Sequence, residues 1–206
     1  METYKSNSQD LSNGVKIRLD LIFDQLSNGW LYYFCAKSLY EAFQKQRITG
    51  AYFFFIGTLR ACLNESILSL SKLLEQKESV SIFYLLNYVE NKVSEFQGAD
   101  PNVIKKEIHE HRIKLKKYEN LYAKIKTQRD KILAHLDKIL LNKQSVTSTI
   151  PYIDMNEVED CFREMFRIIS EYSKFYDGSE YSSTIYEDNV PRDLEFLLSL
   201  INPGSQ

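Results

Sequence analysis

Cysteine is scarce in this 206-residue chain: three residues, at positions 35, 62 and 161, with no C-x-x-C pair among them. An odd, scattered set excludes a disulfide framework and argues against a zinc site, so the three read as small buried hydrophobes. Glycine (7) and proline (4) are also few. Long uninterrupted helices are therefore allowed, and there is neither a glycine-rich phosphate loop nor a G-x-S-x-G elbow. The longest apolar runs, "AYFFFIG" (51–57) and "WLYYFCA" (30–36), stop well short of the ~20 residues that span a bilayer. The opening "METYKSNSQD" is polar and holds no signal-peptide core. No membrane association and a cytoplasmic location are the expectation.

Bulky packing surface is plentiful: 14 Tyr and 12 Phe in a chain that is 44% hydrophobic and 26% charged. The apolar residues recur with helical period. A first helix, capped by Asp10 or Ser12, carries Val15, Ile17, Leu19, Ile22, Phe23 and Leu26; "SNG" (27–29) breaks or kinks it before Trp30, Phe34, Leu39 and Phe43 resume the pattern. The most apolar segment, 51–74, reads as a central bundle helix, with Arg60, Asn64 and Glu65 as helix–helix hydrogen-bonding groups. A shorter helix follows a turn capped by Ser79, and "QGADP" (97–101) ends it. The basic stretch after it is one long helix or two that meet near Thr127, where Thr127 and Asp130 match a capping box. A loop over 142–151, a helix over 156–175, an irregular acidic segment over 176–189 and a short terminal helix begun by Pro191 complete the chain. The expected architecture is an all-α, single-domain helical bundle over 1–206. It has four to five main helices, a core over about 10–175 and a short C-terminal helix in 176–206.

Net charge is only -2, but residues 105–143 hold 12 Lys and Arg against 5 Asp and Glu, while the rest of the chain is acidic. Such asymmetry suits a basic face for an anionic ligand. Within that stretch, "HEH" (109–111) is not a metal motif, because its two histidines point about 200° apart on a helix; it reads as part of a solvated basic face, with no metal. The segment "TQRDKILAHLDK" (127–138) is different, because Arg129, Asp130 and His135 serve no need of the apolar stripe that carries them. Six residues separate Arg129 and His135 by roughly 9 Å of rise and 120° of azimuth, so both border one groove. Histidine is the natural proton carrier near neutral pH. An arginine fork suits phosphate oxygens and charge developing at phosphorus. Metal-free RNA cleavage needs these groups: a base for the ribose 2′-OH, an acid for the leaving 5′-oxygen and a cation for the pentavalent state. One histidine does not serve easily as both acid and base, so two copies facing each other across a dimer suit the chemistry.

Arg129, the polar Asp130 beside it and His135 resemble the R-x(4–6)-H signature of the HEPN superfamily of helical domains. The wider phrase "RDKILAHLDK", after "LRACLNESILSLSKLLEQKESVSIFYLL" (59–86), looks like the abortive-infection (AbiU-like) HEPN branch over roughly residues 10–175. The resemblance implies a bundle of four or five helices, a symmetric homodimer and a composite cleft where both motifs meet. It further implies a metal-independent endoribonuclease of a defence or toxin–antitoxin type, without cofactor, with RNA as substrate and an antitoxin protein as a further partner. Carried over, His135 is the acid and base, Arg129 the phosphate and transition-state ligand, and Asp130 the residue orienting one of them. Lys124, Lys126, Lys131 and Lys138 on the same stretch are the expected RNA-binding residues. The alternative is a non-catalytic HEPN-like module that binds RNA or a protein through the same face.

Overall fold

Val15, Leu19, Ile22, Leu26 and Trp30 lie at three- and four-residue spacing, and all are buried on one side of a single 38-residue helix, α1 (Asn7–Gln44). The computed structural model describes residues 7–96, 98–141 and 151–201, with side chains described for 14–96, 98–130 and 151–200. Among the described residues six further helices follow: α2 (Tyr52–Leu74), α3 (Ile82–Asn91), α4 (Pro101–Lys116), α5 (Glu119–Leu141), α6 (Met155–Asp177) and α7 (Thr184–Ile201). A 3-10 turn, Val93–Glu95, follows α3. No strand occurs among the described residues, and the architecture is the all-α, single-domain bundle that the apolar periodicity implies.

"SNG" neither breaks nor kinks α1 into two. A Cβ on Gly29 would stand 2.7 Å from Cβ of Ser69 and 2.8 Å from the Phe162 ring, so the missing side chain lets α1, α2 and α6 approach closely. Trp30, next in sequence, is fully buried and packs against Tyr33, Phe34, Phe162 and Phe166. Its Nε1–H donates to the Ser183 carbonyl at 3.2 Å, which ties the segment before α7 to the core. Main-core side chains come from all of the first six helices, and a smaller cluster of Leu39, Ala42, Phe55 and Leu198 joins the ends of α1, α2 and α7.

α2 corrects the expectation from uninterrupted runs. By length and composition alone it is long and apolar enough to cross a bilayer. Its C-terminal half, from Ser66 to Leu74, is packed into the bundle, whereas Tyr52, Phe53 and Phe54 at its start are exposed. Arg60, Asn64 and Glu65 point outward and are not helix–helix groups, because the helix turns its other face to α1.

Helix boundaries follow local chemistry. Ser81, not Ser79, caps α3 by accepting from the Tyr84 N–H at 3.1 Å. Asp100 caps α4, with Pro101 in its first turn, and Asp154 caps α6, which ends on a left-handed Gly178 (φ 75°). The basic stretch breaks between Lys116 and Glu119 and not near Thr127. Thr127 lies inside α5, and its hydroxyl donates back to the Ala123 carbonyl at 2.8 Å, so it caps nothing. The acidic segment is also shorter than expected: α7 begins at Thr184 and takes Pro191 into its interior instead of starting there.

A half-exposed ionic knot joins α1 to α6. Glu159 receives hydrogen bonds from the Tyr33 hydroxyl, from Lys37 (2.8 Å) and from Arg163, which also grips Glu187 of α7. Burial alone would push the Glu159 carboxyl up, but these bonds outweigh it and hold it at about 2. Because the folded value lies below the unfolded one, the stabilisation is complete above about pH 4.5 and is lost as pH falls toward 2. Glu159→Gln is expected to lower stability at pH 7 by about 2 kcal/mol, and the gap from wild type should close on acidification. Denaturant melts at pH 7 and pH 3 check this; a gap that persists undiminished at pH 3 contradicts it.

Candidate functional site

α5 is pinned along its first half. Leu121 and Ile125 are fully buried, Tyr118 just before the helix donates to the Asp160 carbonyl at 3.0 Å, and the Tyr122 hydroxyl donates to Glu75 at the end of α2. Tyr122, Lys126 and Arg129 recur at helical spacing, which carries one stripe of α5 along α2. Arg129 is anchored twice: Nη1 donates to the buried Ser71 hydroxyl of α2 at 3.1 Å, and Nε donates to Asp130 at 3.0 Å. Its side chain is 27% exposed and that of Asp130 55%, so the pair sits at the surface with its planar group already oriented. No described residue is hydrogen-bonded to Nη2 of Arg129. Below it, Glu75, Lys77 and Phe83 face Tyr118, Tyr122 and Lys126 across a cleft of about 210 Å³.

The helical backbone of α5 continues past Arg129 to Leu141 and so carries position 135 on the same rod. The side chains of His135, Lys131 and Lys138 lie outside the described residues. Among the other residues singled out from sequence, Lys126 is exposed beside the cleft. Lys124 is not on that face: it points toward α6 and lies 3.8 Å from Glu157. Two residues along a helix turn the side chain by about 200°, which separates the two lysines. Arg112, in the same basic stretch, is held by Glu90 (2.6 Å) and Asn87 (2.7 Å). Part of the positive charge thus neutralises the protein's own acidic surface. Sequence reading missed Ser71, Glu75 and Tyr122, which position Arg129 and its helix; the only trace of the first is a run of small polar residues, Ser66, Ser69 and Ser71, in an apolar helix.

A second constellation lies between α4 and α6. His109 is exposed, as a solvated basic face requires, but His111 is fully buried, which corrects that reading for half of "HEH". Its Nδ1 lies 2.9 Å from the Tyr172 hydroxyl, and its Nε2 comes within 3.2 Å of Glu171 without hydrogen-bonding alignment. Burial, with Lys114 and Arg167 nearby, holds the imidazole down at about 4, so it is neutral at physiological pH. Burial and the neighbouring Glu107 push the Glu171 carboxyl up.

Comparison with known proteins returns one family. The HEPN_AbiU2 (AbiU2) family model matches residues 18–197, a span that includes α2 through α6 and the whole of the Arg129–His135 segment. No curated protein and no solved structure matches the chain.

Proposed function

We propose, because the chain belongs to the AbiU2 family of HEPN domains, that it is a metal-independent endoribonuclease that cleaves RNA at a cleft shared by two copies of the chain. The observation that carries this reading is Arg129. It is held by Ser71 and Asp130 at the half-exposed edge of α5, six residues before His135 on the same helix and one turn beyond exposed Lys126. An arginine fixed in this way stabilises charge at phosphorus without reorganising during the reaction.

In the proposed reaction, one His135 removes the proton of the ribose 2′-OH, and the 2′-oxygen attacks phosphorus. The bond to the 5′-oxygen breaks, and the imidazolium of the second copy's corresponding histidine protonates the leaving oxygen. The products are a 2′,3′-cyclic phosphate and a 5′-hydroxyl. Arg129 binds a non-bridging oxygen as charge builds, and Asp130 keeps the guanidinium in plane. Lys126, with Lys131 and Lys138, contributes phosphate contacts that position the strand without reading its sequence. Such a ribonuclease belongs in the cytoplasm, and an activity directed at cellular RNA calls for restraint by an antitoxin protein.

The test is incubation of the purified full chain with RNA in excess EDTA. Cleavage is expected, with a rate that rises with protein concentration as dimers form. RNA binding without cleavage in every metal condition supports instead the non-catalytic module.

A further inference from the structure

α4 and α6 bring together three side chains for which the proposed cleavage has no use. Glu107 and His111 stand one turn apart on α4, so they share a face, and Glu171 reaches them from α6. One carboxylate oxygen from each glutamate and one ring nitrogen of His111 all lie within 4.8 Å of one another. His111 is 0% exposed, and its Nε2 is a buried polar atom with no hydrogen bond. A buried nitrogen 3.2 Å from a carboxylate but not aligned to hydrogen-bond it is poorly satisfied, and two carboxylates sharing one site repel each other unless one holds a proton. A cation at the centre relieves both at once.

We propose that Glu107, His111 and Glu171 bind one divalent transition-metal ion, best matched by Zn²⁺, which clamps α4 to α6. The donor set decides the class of ion. One imidazole and two carboxylates suit zinc and its neighbours; magnesium and calcium take oxygen ligands, and copper(I) takes sulfur. Tetrahedral ligands at ~2.0–2.2 Å from zinc stand about 3.4 Å apart. Glu107 and Glu171 are half-buried, so their carboxylates have the freedom to close that distance. The far side of His111 is already arranged for ligation. If Nδ1–H donates to the buried Tyr172 oxygen, the ring is fixed with its Nε2 lone pair facing the glutamates, the outer support that metal-bound histidines have. Arg167, the nearest cation on α6, is turned to Glu164. Glu171 also borders a cleft of about 560 Å³ lined by Arg163, Arg167, Ser170 and Lys174, on the side of α6 that faces Tyr181 and Ser183. None of Arg129, Asp130 or His135 belongs to this site, so it stands or falls separately from the ribonuclease reading.

The test uses the full chain, stripped with EDTA, desalted and titrated with ZnCl₂ by calorimetry, with thermal unfolding followed in parallel. The expected result is one zinc per chain and a higher melting temperature with zinc than without. Glu107→Gln and Glu171→Gln, near-isosteric and checked by circular dichroism, should each weaken binding at least tenfold, and His111→Gln should abolish it. His109→Gln, on the same motif but exposed, should bind as wild type does. Absence of saturable zinc binding overturns the proposal, as does unchanged affinity in both glutamate variants or displacement of zinc by an equal concentration of calcium. If His111→Gln does not fold, the two glutamate variants decide the matter.

Discussion

His135→Ala is expected to slow RNA cleavage in EDTA by roughly a thousandfold while leaving the circular dichroism spectrum unchanged. General acid–base groups contribute about 10²–10⁴-fold, and in the proposed mechanism, where each copy supplies one proton transfer, the loss falls on both. Arg129→Ala is expected to cost a similar factor through lost charge stabilisation at phosphorus. Ser71→Ala separates position from charge: it removes the hydroxyl that receives Nη1 but keeps the guanidinium, so a loss of only about tenfold is expected. The three rates, measured on one RNA at one protein concentration, check the ordering. Cleavage that survives His135→Ala removes the histidine from the mechanism. A loss of helicity in Arg129→Ala, without a specific loss of rate, makes the arginine a structural tie between α5 and α2.

The largest expected effect on stability lies at Trp30. The side chain is fully buried among Tyr33, Phe34, Phe162 and Phe166, and its indole N–H holds the Ser183 carbonyl. Trp30→Ala leaves a cavity on α1 where three helices meet, and it strands a carbonyl as well. A loss of about 3–5 kcal/mol is expected from equilibrium denaturation. Trp30→Phe keeps most of the ring packing but not the hydrogen bond and should cost about 1–2 kcal/mol. A loss under 1 kcal/mol for the alanine variant would mean that the α1–α6 seam does not hold the bundle together.

Much of the fold was legible because it rests on period. Val15, Leu19, Ile22, Leu26 and Trp30 announce the buried stripe of α1, although Ile17, read with them, is exposed, and Val158, Phe162, Phe166 and Ile169 announce that of α6. What stayed hidden depends on neighbours distant in sequence. Nothing local shows that Gly29 is a point of close packing instead of a break, since Ser69 and Phe162 supply the reason. The α4–α5 boundary holds neither glycine nor proline, whereas Thr127, which resembles a cap, spends its hydroxyl on its own helix. Pro191 marks a helix start by the usual preference, yet α7 begins seven residues earlier and accepts it internally.

The candidate site divides in the same way. Arg129 and Asp130 are adjacent in sequence and bonded in space, so their pairing was readable. Lys124 was placed with the RNA-binding residues on charge alone, and Glu157 of α6, more than thirty positions away, takes it to another face. His111 is surrounded in sequence by charged residues, and only packing against α6 buries it. Glu107 at i−4 is visible in the string of letters, but Glu171 and Tyr172, about sixty residues on, are not.

Chemistry at the 2′-oxygen leaves a signature that no metal-activated water leaves. The most direct measurement is end-group analysis of a defined RNA cleaved by the full chain in EDTA. The account predicts fragments ending in 2′,3′-cyclic phosphate and beginning with 5′-hydroxyl, formed by wild type and not by His135→Ala. Fragments with 5′-phosphate and 3′-hydroxyl ends, or cleavage that appears only when a divalent metal is restored, would contradict it.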